Sequence, residues 1–463
     1  MNIPIDKTNS FINLNITSIV MLWISLFILT LIAISGSLTP IILYIFMSIL
    51  AIVLIVLISD KNEISIKVKL FIFFFSVYLA YTLINYYILL SLYPYEIPLN
   101  YIDENTFYEY SNLGLPYIIG KKHFFDLFTL ASYPLHEQPL FVMFISSIAY
   151  LSTIVDGNNT LIAQKILSPF LGGLFSVVLY STLKYQFKET SFSLNATIAF
   201  GLFSAIFMYS TPIMRDIDVA LAYMIFICLF LQKNSVINFI LLLVVAFITY
   251  YLRMESGMVL FALVLLYSHF HVKTIHSKAI KFIFYILVVV FSSFLILLMA
   301  NKIFGRVVGL NEANTARSIA EASAESISLI FNKLPFPLSY IAKVLFGQMQ
   351  PFPFFLAIDR LPEAISGVFW PFIFIMMLYA VIKKEIRKLI DTKIIYLLIV
   401  AIAILFLMSS EPMARRMMSV YPIIYIVSLY VFLIVPNNKI KSIFSYYIFG
   451  IISLNIFYYF LKI

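Results

Sequence analysis

The sequence predicts an all-α, polytopic integral membrane protein, and three observations carry that expectation. The chain is 62% hydrophobic and 17% aromatic, with only 11% charged residues, where an average soluble domain carries about 25% charge. Mean hydropathy is +1.01. Apolar runs near the ~20 residues that a helix needs to cross a bilayer recur along the whole length.

The runs place about thirteen spans, near 18–36, 40–59, 70–92, 166–183, 191–209, 217–231, 235–251, 256–270, 280–300, 365–382, 394–409, 417–435 and 443–461. The first is too long for a signal-peptide core and has no clear cleavage site, so it reads as a retained span. The basic loops Asp60–Lys69, Lys184–Lys188, Gln232–Ser235, His271–Lys281, Lys383–Lys393 and Asn437–Lys441 alternate onto one side. That side is cytoplasmic by the positive-inside bias, and the N-terminus with Lys7 joins it. The net charge of +9 is therefore a topology signal and gives no reason to expect nucleic acid. The single cysteine, Cys228, sits in an apolar run and excludes an internal disulfide or a cysteine metal site.

The whole of residues 1–463 reads as one transmembrane domain with two long external loops, 93–164 and 301–364, that carry juxtamembrane helices. The first loop contains Leu140–Ile154, an apolar run of about fifteen residues, which is short for a span. A crossing there would invert every later basic loop, so it is expected to lie on or dip into the outer surface. The second loop contains Asn314–Phe331, with isoleucines spaced for one helical face, followed by Leu334-Pro335-Phe336-Pro337 and Gln350-Pro351-Phe352-Pro353. Prolines at that density break helices and shape a rigid loop.

The chemistry-bearing residues cluster on the external side. Asp103-Glu104 open the first loop, either as caps of a helix beginning at Asn105 or with one of them acting as a general base. Lys165, Arg253 and Arg415-Arg416 are external cations against the usual bias. They either snorkel to headgroups or pair with Glu255 or Glu411, or else grip an anionic lipid phosphate. Arg215-Asp216-Ile217-Asp218 offers a second acidic pair, to hold an acceptor or a divalent ion, unless Asp216 simply pairs with Arg215. His136 and His123 lack a convincing third ligand, so no metal site is expected. No phosphate-cradling glycine loop occurs, which disfavours a nucleotide substrate and favours a donor reached from within the bilayer.

In that order the motifs resemble the GT-C superfamily of membrane glycosyltransferases, which includes the protein O-mannosyltransferases and the lipid A aminoarabinose transferase. Asp103-Glu104 after an early span is similar to the family's first-loop acidic pair, and His136-Glu137-Gln138-Pro139-Leu140 to the motif that opens a short helix. Lys165 stands where Arg is common, before Gly172-Gly173. Met214–Asp218 resembles a later Arg-Asp element, and Arg415-Arg416 with Tyr421-Pro422 an Arg leading into a Tyr-Pro span.

The resemblance implies transfer of a sugar from a polyprenyl-phosphate carrier to a glycan, lipid or protein acceptor at the outer face of the cell membrane. It implies Asp103 as base, Glu104 as its orienting neighbour, and Lys165, Arg415 and Arg416 as phosphate clamp. Arg253, His136, Arg215, Asp216, Asp218 and Tyr421 are further substrate-binding candidates. A repeat-unit polymerase or ligase would use the same lipids. A transporter is the rival of another class, disfavoured because no corresponding halves are visible.

Overall fold

A computed structural model describes residues 36–92, 102–129, 132–272, 334–335, 338–349, 361–407 and 417–462, with isolated residues 27, 30, 277, 281–282, 286 and 290. The elements of the described residues are all helical. Among the described residues, six helical segments are long and apolar enough to cross a membrane: Thr39–Ile58, Ile64–Leu92, Pro139–Asp156, Leu161–Phe187, Leu361–Ile382 and Asn437–Phe460. Their exposed faces are apolar too, with Leu57 and Ile58 75% and 81% exposed and Phe449 and Phe460 73% and 70% exposed. Surface of that kind belongs in lipid, where helices satisfy their own backbone groups.

The expectation of about thirteen spans is only partly met. The stretches expected near 191–209, 235–251, 256–270, 394–409 and 417–435 contain apolar helices of 10–17 residues. At 191–209 the reason is local. Ser204 is extended (φ −98°, ψ 172°) and ends one helix at Phe203, and its hydroxyl accepts from the Ile206 N–H to start the next. The expected spans 18–36 and 280–300 and most of the loop 301–364 lie outside the described residues.

The chain divides into two compact units, residues 1–177 with 210–214, and residues 178–209 with 215–463. In the first, α1 (Thr39–Ile58) and α2 (Ile64–Leu92) are joined by a turn in which Glu63 N donates to Asp60 O and Lys67 pairs with Glu63 at 2.8 Å. α3 (Ile102–Ile118) leads through two 3-10 turns, Phe124–Phe128 and Leu135–Glu137, to α4 (Pro139–Asp156). α5 (Leu161–Lys165) then opens α6 (Leu167–Phe187). α4 has eighteen residues, longer than the fifteen expected, because Pro139 starts it at the first helical position and Gly157, at φ 79°, ends it. Asp156 then caps α1 in trans: Leu38 N and Thr39 N donate to its two carboxylate oxygens at 2.8 and 3.1 Å. Helix α6 packs tightly on α2, since a Cβ on Gly172 would lie 2.8 Å from the Tyr78 ring and one on Gly173 3.0 Å from Phe71.

The second unit holds α7 (Thr190–Phe203), α8 (Ala205–Tyr209), α9 (Asp216–Leu231), α10 (Val236–Leu252), α11 (Met254–Val272), α12 (Leu338–Gly347), α13 (Leu361–Ile382), α14 (Lys384–Arg387), α15 (Thr392–Leu407), α16 (Tyr421–Ile434) and α17 (Asn437–Lys462). Its core includes Trp370 stacked on Tyr421 at 3.6 Å, with the indole N–H donating to Gln348. Tyr425 donates to Ala196 O at 2.8 Å. Lys393 reaches the C-terminal carbonyls of α9, donating to Phe230 O and Gln232 O, a favourable place for a cation.

Candidate functional site

Helix α3 begins at Ile102, three residues earlier than the Asn105 start considered from sequence, so Asp103 and Glu104 lie inside its first turn. The unpaired N–H groups there favour anions. The two carboxylates have different surroundings. Asp103 is half-buried. Glu104 is fully buried, and its Oε1 accepts from Lys165 Nζ at 2.5 Å and from the Ile213 backbone N–H at 2.9 Å. Lys165 is 1% exposed. It ends α5, every residue of which is buried. Burying a lone charge costs far more than burying a hydrogen-bonded pair, so each member requires the other.

A polar network continues along α3. Tyr108 donates to Asn159 O, and Asn159 Nδ2 donates to Ser111 and Asn112. Gln164 Nε2 donates to Asn159 Oδ1 at 3.1 Å and to Ile145 O at 2.9 Å. Burial pushes the Tyr108 phenol above its ordinary range, so it serves as a neutral donor. These bonds fix the segment after α4 against α3 and therefore fix where Lys165 arrives. His136 is half-buried with its ring 5.6 Å from Tyr133, and its Nδ1 is buried without a partner, as is Oε1 of Gln138.

In the second unit, Asp216 and Asp218 occupy the first turn of α9 and are 8% and 6% exposed. The sequence left open a pairing of Asp216 with Arg215; in the structure Asp216 Oδ1 lies 3.4 Å from Arg253 Nη1. Arg253 sits between α10 and α11 in an extended conformation. The tight hairpin there needs Gly257, where a Cβ would fall 2.3 Å from Tyr250 Cα. Tyr223 donates to Ser256 O across the same region. Asp218 Oδ2 is buried without a partner. Arg215 is half-buried at the start of α9.

Two pairings of acid and base that the sequence did not suggest are thus present, Glu104 with Lys165 and Asp216 with Arg253, each within its own unit. Tyr421 is 1% exposed beneath Trp370 and forms part of a packed core. Arg415 and Arg416 lie outside the described residues. Among the described residues no group of three or more His, Cys, Asp or Glu could hold a metal ion. Tyr108, Asn159 and Gln164 were missed from sequence. Two amides and a phenol around an apolar helix were the available signal, but only the fold shows that they converge.

Comparison with protein-family models, curated proteins and solved structures gave no match to this chain.

Proposed function

We propose that the chain is an integral membrane glycosyltransferase that moves a sugar from a polyprenyl-phosphate-linked donor to an acceptor hydroxyl at the outer membrane face. The observation that carries this proposal is the difference between two adjacent carboxylates. Glu104 is fully buried and accepts from Lys165 and Ile213 N, and its neighbour Asp103 is half-buried on the same helical turn. A carboxylate held so is preorganised for general-base work. Asp103 takes the proton of the acceptor hydroxyl as that oxygen bonds to the anomeric carbon. The bond from that carbon to the donor phosphate breaks, and the lipid phosphate leaves with the electron pair.

The leaving phosphate needs fixed cations. Lys165 is already engaged by Glu104 in the interior, so its role here is to position the acidic turn. The cations that the sequence offers for that charge are Arg415 and Arg416.

The cap on α1 supports an outer-face location. With the Asp60–Glu63 turn cytoplasmic, Leu38 and Leu92 lie on the other side. Helix α3, carrying Asp103, Glu104 and Glu109, is too polar to cross. The chain therefore begins α4 on the outer side, and Asp156 ends it beside Leu38 and Thr39 on that same side. Despite its length, α4 would then dip into the outer leaflet without traversing it.

The test is release of polyprenyl phosphate. Full-length protein in nanodiscs is given a polyprenyl-phosphate sugar together with a membrane extract as the acceptor source, and the freed lipid phosphate is measured. Release that depends on Asp103 is expected. Sugar-independent movement of the lipid across the bilayer, with no release, would favour a transporter and sink the proposal.

A further inference from the structure

The sequence put Lys121-Lys122-His123 in the first external loop without giving it a role, and the mechanism above does not use it. Helix α3 stops at Ile118, and the chain reverses at Gly120, whose φ is 76°. Lys121, Lys122 and His123 follow, all exposed. The 3-10 turn Phe124–Phe128 then turns Leu127 inward, onto a small core with Tyr117, Leu135 and Val142. The same turn leaves Phe124 39% and Phe125 74% exposed, and Tyr133 beyond it is also 74% exposed. Lys122 Nζ rests 5.0 Å above the Tyr117 ring, which leaves its other faces open. Asp126 is exposed in the same segment, and the two lysines still make the balance positive.

Three large exposed aromatic side chains beside a small buried core are costly in water. Aromatic rings beside lysines suit the headgroup layer of a bilayer, where the ring takes the acyl boundary and the ammonium takes phosphate. Lysines near an anionic leaflet add attraction that ordinary zwitterionic lipid lacks. We infer that residues 121–129 together with Tyr133 form a membrane-surface anchor, with Phe124, Phe125 and Tyr133 seated at the acyl boundary and Lys121 and Lys122 on the phosphates of anionic phospholipids. The inference needs only the bilayer and stands apart from sugar transfer.

The experiment uses the full chain with Cys228→Ser as background and a bimane label at Phe125→Cys. The protein is placed in nanodiscs of phosphatidylcholine, alone or mixed with phosphatidylglycerol. The label should be quenched by spin-labelled lipid and shielded from aqueous iodide. Its emission should shift further to the blue with phosphatidylglycerol, and Lys121→Gln with Lys122→Gln should abolish that extra shift. A label reached by iodide and not by spin-labelled lipid in both compositions would overturn the anchor. So would immersion that ignores both the anionic lipid and the lysine substitutions. If Phe125→Cys disturbs the loop, Tyr133→Cys gives the same readings from its other end.

Discussion

Lys165 Nζ lies 2.5 Å from Glu104 Oε1, and the two side chains are 1% and 0% exposed. They come from sequence positions sixty-one apart, so the bond ties the first turn of α3 to the α5–α6 junction. Removing one partner leaves the other buried and uncompensated, at a cost of about 3–5 kcal/mol. Glu104→Gln and Lys165→Met should each lower the unfolding temperature strongly in detergent. The double variant should recover much of the loss, because it buries no net charge. A double variant no better than the worse single would show that the pair is not coupled.

The same double variant separates two roles for Lys165. As a positioning residue, Lys165 should lower turnover when replaced while leaving donor affinity close to normal. As a phosphate ligand, it should weaken donor binding itself. Equilibrium binding of a polyprenyl-phosphate sugar to the refolded double variant distinguishes them, and near-normal binding is the expected result.

The end of α4 gives a topological prediction. Asp156 holds two N–H groups at the start of α1, and a charged hydrogen bond contributes about 1.5–3 kcal/mol. Asp156→Ala should destabilise the protein measurably in thermal unfolding. Cysteines placed at Ser37 and Asn158 should react with a membrane-impermeant reagent from one and the same side. Labelling from opposite sides would mean that α4 crosses the membrane.

Much of the class was legible in the sequence, because bilayer thickness acts on composition directly. Single residues that redirect the backbone were not. Ser204 breaks an apolar run that hydropathy reads as one span, and Gly157 fixes where α4 stops. The site was half legible. Asp103, Glu104, Lys165, Asp216 and Arg253 stand out as charges in apolar surroundings, but which acid meets which base depends on contacts across tens of residues. Hence Asp216 meets Arg253, thirty-seven residues further along the chain. The packing of Tyr421 was not legible, because a tyrosine in a motif and a tyrosine in a core look alike until Trp370 is found stacked on it.

The α10–α11 turn sets the position of Arg253, and it allows no side chain at residue 257. A Cβ on Gly257 would sit 2.3 Å from Tyr250 Cα and 2.4 Å from its backbone nitrogen. Backbone cannot yield as a flexible side chain would, so Gly257→Ala should cost about 1–3 kcal/mol or more. Thermal unfolding of the variant checks this. Unchanged stability would mean that the hairpin opens more readily than its geometry implies.

The decisive substitution is Asp103→Asn. It keeps the size of the side chain and most of its hydrogen bonding, and it removes the ability to accept a proton. Asn is also nearly as good as Asp near a helix start, so α3 and the Glu104–Lys165 lock should survive. If Asp103 is the general base, the variant should insert and bind donor normally while turnover falls by about 10²–10⁴-fold. Glu104→Gln should behave differently. It disturbs a buried ion pair, so its loss of activity should come with a loss of thermal stability, whereas Asp103→Asn should lose activity alone. An active Asp103→Asn enzyme would move the proton transfer elsewhere. Asp218 would then be the next candidate, since its carboxylate is buried with one oxygen unpartnered. Measuring released polyprenyl phosphate and unfolding temperature on both variants separates these outcomes.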